Sequence, residues 1–165
     1  MSIEIVYSEM PPCCADSIQS ERNYQEKMWN EDTTSSAGLH SESEFLVFMQ
    51  DYLREAMNIV SRNPEPQASE DAAQTVRKVC AMALACAEKN DWVEDFAKYM
   101  PFNKANGKTN LVQALALMQA CLNKAFEAVY DESMESIKIQ MVLCFMAGTQ
   151  AMTNMELYTM REFLL

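Results

Sequence analysis

An all-α fold is predicted, a helical bundle of about five to six helices with an irregular N-terminal arm. Three observations predict it. Glycine and proline are scarce, 3 and 5 in 165 residues, so few positions interrupt a helix. Apolar residues recur at gaps of three and four through most of the chain, the period of one helix face. The stretch Ser69 to Asn90, S-E-D-A-A-Q-T-V-R-K-V-C-A-M-A-L-A-C-A-E-K-N, has no Gly, Pro or aromatic residue and is apolar nearly all round. A helix of that kind is one that other helices press against closely, the central post of a bundle. The length suits one domain, divided as an arm over 1–17 and a bundle over 18–165.

Taken in order, Ile3, Ile5 and Tyr7 alternate with polar residues, which suggests a short edge strand or extended arm ended by Pro11-Pro12. A first helix is expected from Ser17 or Ser20 to Asn30, with Ile18, Tyr24, Met28 and Trp29 as its apolar side. Glu31 to Leu39 is polar, Ser/Thr-rich and contains Gly38, the composition of a loop. A strong helix follows from about Ser41 to Arg62, where Phe45, Phe48, Met49, Tyr52, Leu53, Ala56 and Val60 keep helical spacing. Asn63-Pro64-Glu65-Pro66 ends it, and so short a link makes it the antiparallel neighbour of the central helix.

Ser69 is the expected N-cap of that central helix, with Glu70 and Asp71 in the first turn where the helix dipole favours negative charge. A short amphipathic helix, Asp91 to Met100, carries Trp92, Val93, Phe96 and Tyr99, and Pro101 with the Asn103-to-Lys108 turn closes it. Thr109 or Asn110 opens the next helix, to about Tyr130. Asp131 is the expected N-cap of a last segment, Glu132 to Leu165, which Ala147-Gly148-Thr149 would bend or split. Met134, Met141, Met146, Met152, Met155 and Met160 crowd that segment, and its end, Phe163-Leu164-Leu165, is apolar. Flexible methionines on an uncovered helix suit a homo-oligomer or partner interface.

A net charge of −11 argues against direct nucleic-acid binding, which requires clustered Lys and Arg, and suits a basic protein partner or cations. No apolar run reaches the roughly 18 residues of a membrane span, and no N-terminal signal peptide is discernible, so a cytoplasmic protein is expected. Cys80, Cys86, Cys121 and Cys144 sit in apolar runs as small hydrophobes, and Cys13-Cys14 lack metal-site spacing. Phosphate-loop, dinucleotide and nucleophile-elbow motifs are all missing, so no resident cofactor is expected.

Two constellations carry chemistry. Arg22, Tyr24 and Trp29 on the first helix, His40 at the start of the next, and Arg77 and Lys78 on the central helix combine cations with rings, as a small anionic ligand requires. Glu44, Asp51 and Glu55 follow one line of the second helix, and Glu88-x-x-Asp91 ends the central one. Together they could hold Mg²⁺ through oxygen ligands.

The segment Glu21 to Lys89 resembles a group of small phage and prophage helical proteins. The resemblance is carried by E-R-N-Y-Q-E-K-M-W at Glu21 to Trp29, by His40, by Y-L-R-E-A at Tyr52 to Ala56, by V-R-K-V at Val76 to Val79 and by A-C-A-E-K at Ala85 to Lys89. A more distant likeness is to the all-α, MazG-like nucleotide pyrophosphohydrolases, which hold Mg²⁺ with E-x-x-E on one helix and E-x-x-D on the next. Glu88-x-x-Asp91 matches the second element, whereas Glu44, Asp51 and Glu55 stand at other spacings than the first.

The first resemblance implies a non-enzymatic phage-type accessory protein, in the host cytoplasm if phage-encoded. It would bind a host protein or a small, nucleotide-like anionic ligand and counteract host defence. The second implies a divergent Mg²⁺-dependent pyrophosphohydrolase using those five acids. An acidic DNA mimic is the third alternative.

Overall fold

The computed structural model describes residues 3–10, 12–31, 40–62, 66–99 and 110–164, with side chains described for all of these except 12–13, 29–31, 66–70 and 154–164. Among them are seven helices and no strand: α1 (Glu4–Ser8), α2 (Pro12–Glu31), α3 (Glu42–Arg62), α4 (Pro66–Asn90), α5 (Val93–Tyr99), α6 (Leu111–Tyr130) and α7 (Met134–Leu164). The all-α bundle expected from composition and periodicity is therefore the fold. Of the loop expected over Glu31 to Leu39, Glu31 ends α2 and 32–39 lie outside the described residues, as do Pro101 with the Asn103-to-Lys108 turn, the side chain of Trp29 and the side chains of the apolar C-terminal end.

Four helices close a ring: α3 packs on α4, α4 on α7, α7 on α6 and α6 back on α3. Lys89 near the end of α4 pairs at 3.0 Å with Glu42 at the start of α3, so these two run antiparallel. Gln50 of α3 and Gln119 of α6 exchange amide hydrogen bonds of 2.8 and 2.7 Å, a polar link that sets the register of the fourth side. Outside the ring, α2 lies along α4, α1 touches both α2 and α5, and α5 rests against α4 and α7.

Helix α4 is the enclosed member. Every residue from Val79 to Ala87 is buried, as are Ala72 and Val76. Alanine and cysteine at most of these positions leave little side-chain bulk, so the neighbouring helices approach the α4 backbone closely. Gly148 marks the tightest approach. Helix α7 runs through it without the split that was one of the two expectations there, and a Cβ at Gly148 would lie 2.5 Å from Cys80 Sγ. The glycine provides clearance rather than a hinge, because a helix interior tolerates it when the crossing needs the space.

The helix ends explain most differences from expectation. Proline begins both α2 and α4, at Pro12 and Pro66, since its fixed φ and missing N–H cost nothing at a first helical position. Helix α2 therefore starts before Ser17, and α4 starts before Ser69. The stretch expected as an irregular arm or edge strand forms α1, whose Val6 is fully buried.

Ser41 and Glu44 form a reciprocal cap on α3, Ser41 Oγ accepting from Glu44 N–H and Glu44 Oε1 accepting from Ser41 N–H, at 3.2 Å each. Asn110 and Gln113 do the same for α6. Asp131 caps the C-terminus of α6 instead of opening α7. Ser133 takes that role, its Oγ accepting from Ser136 N–H. Glu132 between them adopts φ 58°, the left-handed conformation that turns the chain out of one helix and into the next.

Candidate functional site

Helix α2 buries one stripe, Cys14, Ala15, Ile18, Glu21, Arg22 and Gln25, and this stripe changes from apolar to polar halfway along. Burying three polar side chains is costly unless partners are supplied. Arg22 has them in full. Its Nη2 donates to Glu26 Oε1 at 2.6 Å and to Glu88 Oε1 at 2.9 Å, and its Nε donates to Glu88 Oε1 at 3.1 Å. Arg22 thus clamps α2 onto the C-terminal half of α4. Close by, burial pushes the Tyr7 hydroxyl up to about 12, an effect that Arg22 opposes and Glu88 reinforces.

The neighbouring residue, Glu21, faces a different environment. Ser20, Glu21 and Tyr24 of α2, Tyr52 of α3 and Arg77 and Lys78 of α4 line an open cleft of ≈ 460 Å³. Tyr24 is 58 % exposed and presents its ring to solvent. Lys78 Nζ stands 5.5 Å from the centroid of the Tyr52 ring, within cation–π range. Burial above all raises the Tyr52 hydroxyl pKa, with help from the negative charges of Glu21, Asp51 and Glu55, so the phenol stays neutral and able to donate. Arg77 Nε approaches Glu21 Oε2 at 3.9 Å, too far for a hydrogen bond, and that Nε is buried without an acceptor. Two cations, two phenol rings and one carboxylate therefore converge on a single opening.

Of the ligand residues expected from sequence, Tyr24, Arg77 and Lys78 meet in this cleft, and Arg22 does not join them. His40 lies elsewhere. Its edge packs against Phe45 and Phe48, its Nδ1 is 3.3 Å from Glu44 Oε2, and its carbonyl oxygen accepts from Lys89 Nζ. Lys89 is eleven positions beyond Lys78 on α4, roughly 16 Å along the axis. Ser20, Glu21 and Tyr52 were missed by sequence. Glu21 shares the phase of Cys14, Ile18 and Gln25, a buried stripe that an apolar pattern does not reveal because half of it is polar, and Tyr52 reads as an ordinary core position of α3.

The five candidate metal acids are not brought together. Glu44 is committed to the α3 cap, and the hydrogen bond from the Ser41 backbone, followed by those from His40 and the Ser41 hydroxyl, holds its carboxyl below the usual range. Asp51 pairs at 2.6 Å with Arg54, Glu88 is held by Arg22, Glu55 is exposed, and Asp91 occupies a left-handed turn with φ 58°. Among the described residues no three His, Cys, Asp or Glu side chains gather where they could hold a metal ion. A second hollow, between α5 and α7, contains one cation, Lys138, but Asp95 at 3.6 Å and Glu135 at 3.1 Å already neutralise it.

Four cysteines of the core are held as thiols. Burial raises the thiol pKa of Cys80, Cys121 and Cys144 and pushes Cys86 up to about 12, so at neutral pH the reactive thiolate is withheld. Native protein treated with a thiol reagent at pH 8 is expected to leave Cys80, Cys86 and Cys144 unlabelled for hours, whereas denatured protein labels at all three. Peptide mass spectrometry reads the difference, and rapid native labelling of Cys80 would show that α4 is not enclosed as described.

No helix among the described residues is long and apolar enough to cross a membrane. No protein-family model, curated protein or solved structure matches the chain.

Proposed function

We propose that the chain is a non-enzymatic, phage-type accessory protein whose α2–α3–α4 cleft binds a small, nucleotide-like anion. One observation carries this: in a chain of net charge −11, Arg77 and Lys78 are turned into one opening beside Tyr24 and Tyr52. The long-range field repels anions, so affinity must come from local contacts, and the two cations supply charge-assisted hydrogen bonds to an anionic ligand. The exposed phenol ring of Tyr24 supplies a face on which a base can stack, at about 1–3 kcal/mol per base. The phage-like segment Glu21 to Lys89 contains every residue lining the cleft except Ser20, which supports an accessory role such as sequestering a nucleotide signal used in host defence.

Titration calorimetry with nucleoside monophosphates tests the proposal. Binding in the micromolar to millimolar range is expected, weakening with added salt. Lys78→Glu should reduce affinity tenfold or more, about 1.4 kcal/mol, with the melting temperature little changed. Undiminished affinity in Lys78→Glu would remove the cleft from consideration. Release of pyrophosphate from nucleoside triphosphates with Mg²⁺, abolished by Glu88→Gln, would replace the non-enzymatic proposal with the pyrophosphohydrolase alternative.

A further inference from the structure

Glu21 sits uneasily in an anion site. Its residue is 7 % exposed, it accepts no hydrogen bond from any described residue, and its one ion pair, with Arg77, is 3.9 Å long. Arg77 likewise donates no hydrogen bond to a described residue, and its Nε is buried without an acceptor. A largely buried carboxylate, which can only accept, therefore stands beside a guanidinium, which can only donate, and neither has a hydrogen-bond partner among the described residues. Of this pair only the Arg77 Nε is buried without a partner, whereas the Glu21 oxygens are not, so a ligand in the cleft that donates to Glu21 and accepts from Arg77 supplies hydrogen bonds that no described residue makes.

The ligand must then carry hydrogen-bond donors next to an acceptor. A bare polyanion such as inorganic phosphate meets repulsion at Glu21. The adenine edge offers one donor beside a ring-nitrogen acceptor that faces a carboxylate unfavourably. The uracil edge offers a single donor flanked by two acceptors. The guanine edge has two adjacent donors, N1–H and the exocyclic amino group, followed by the O6 acceptor. That order matches a carboxylate accepting two parallel hydrogen bonds beside a guanidinium donating one.

Resting on the same reading of the cleft as a nucleotide-like anion site, we infer that its ligand class is guanine nucleotides, with Glu21 and Arg77 reading the base edge. Tyr24 stacks on the base and Lys78 holds the phosphate.

The test is calorimetry on the full chain with GMP, IMP, AMP, UMP and inorganic phosphate. GMP is expected to bind at least about tenfold more tightly than AMP or UMP, because a site built around buried polar groups rejects a ligand that leaves them unpaired. IMP, which keeps N1–H and O6 but lacks the amino group, should fall between. Glu21→Gln is expected to weaken GMP about tenfold and erase its advantage over AMP, while AMP binding, retained, confirms a folded cleft. Should that variant not fold, the GMP-to-IMP ratio of the unaltered protein still decides. Equal affinities for GMP and AMP, both reduced by Lys78→Glu, overturn the assignment of the base and leave the anion site standing. Absence of binding by every nucleotide overturns both.

Discussion

Replacing Phe145 by alanine is expected to lower the unfolding free energy by about 3–5 kcal/mol, the range for deleting a buried aromatic ring. Phe145 is 1 % exposed on α7, and its ring lies 5.2 Å from that of Phe96 on α5, inclined by 50°. Phe96 is itself fully buried, so removing one ring strips contacts from both and forfeits an aromatic pair that adds about 0.5–1.5 kcal/mol beyond area. Little relaxation is available to refill the space. The adjacent Cys144 is also buried, and the neighbouring helix is the close-packed α4. For a domain of this size the melting temperature should fall by roughly 6–20 °C. Urea denaturation followed by circular dichroism measures it, and a loss below about 1 kcal/mol, within the range of an ordinary surface substitution, would mean that α5 does not pack on α7 as described.

Gly148→Ala is the second large effect, and its sign is the informative part. On helix propensity alone, alanine for glycine in a helix interior would stabilise by about 1 kcal/mol. Here the added methyl would lie 2.5 Å from Cys80 Sγ and 3.1 Å from Met118 Cε, with Val76 Cγ1 at 3.4 Å. Met118 can swing its flexible end aside, but Cys80 has a single rotatable bond inside a buried helix. Overpacking of this kind costs about 1–3 kcal/mol, so the net effect is destabilising. The cause can be isolated. Cys80→Ala removes the obstructing sulfur, and in that background Gly148→Ala should become neutral or stabilising. A double-mutant cycle by urea denaturation reads the coupling. Destabilisation of equal size in both backgrounds would show that the α4–α7 crossing is not what the glycine serves.

Particular residues show how far the sequence could be read. The central helix, the antiparallel pair α3 and α4 and the starts at Ser41 and Asn110 were legible, because an apolar period and a cap are local properties of the chain. The errors arose where a local rule has two outcomes. Proline stops a helix or begins one, and Pro12 and Pro66 are first helical residues; a helical glycine breaks a helix or gives room, and Gly148 provides clearance. Asp131 suits either end of a helix, and only the packing of α6 on α7 chooses between them.

For the candidate site, Tyr24, Arg77 and Lys78 could be named because rings and cations are conspicuous in an acidic, alanine-rich background. Their convergence could not, since it depends on how α2 lies across α4. Arg22 and Glu21 are adjacent in the chain and were indistinguishable there. In the fold Arg22 is partnered as a clamp, while Glu21 lines the cleft with no hydrogen bond from a described residue.

Amide and side-chain chemical-shift mapping during a GMP titration reads out whether the α2–α3–α4 cleft binds a nucleotide-like anion. Saturable shifts are predicted at Tyr24, Tyr52, Arg77 and Lys78, with His40 and Lys138 unmoved. Shifts centred on Lys138 or His40, or none at millimolar nucleotide, would contradict it.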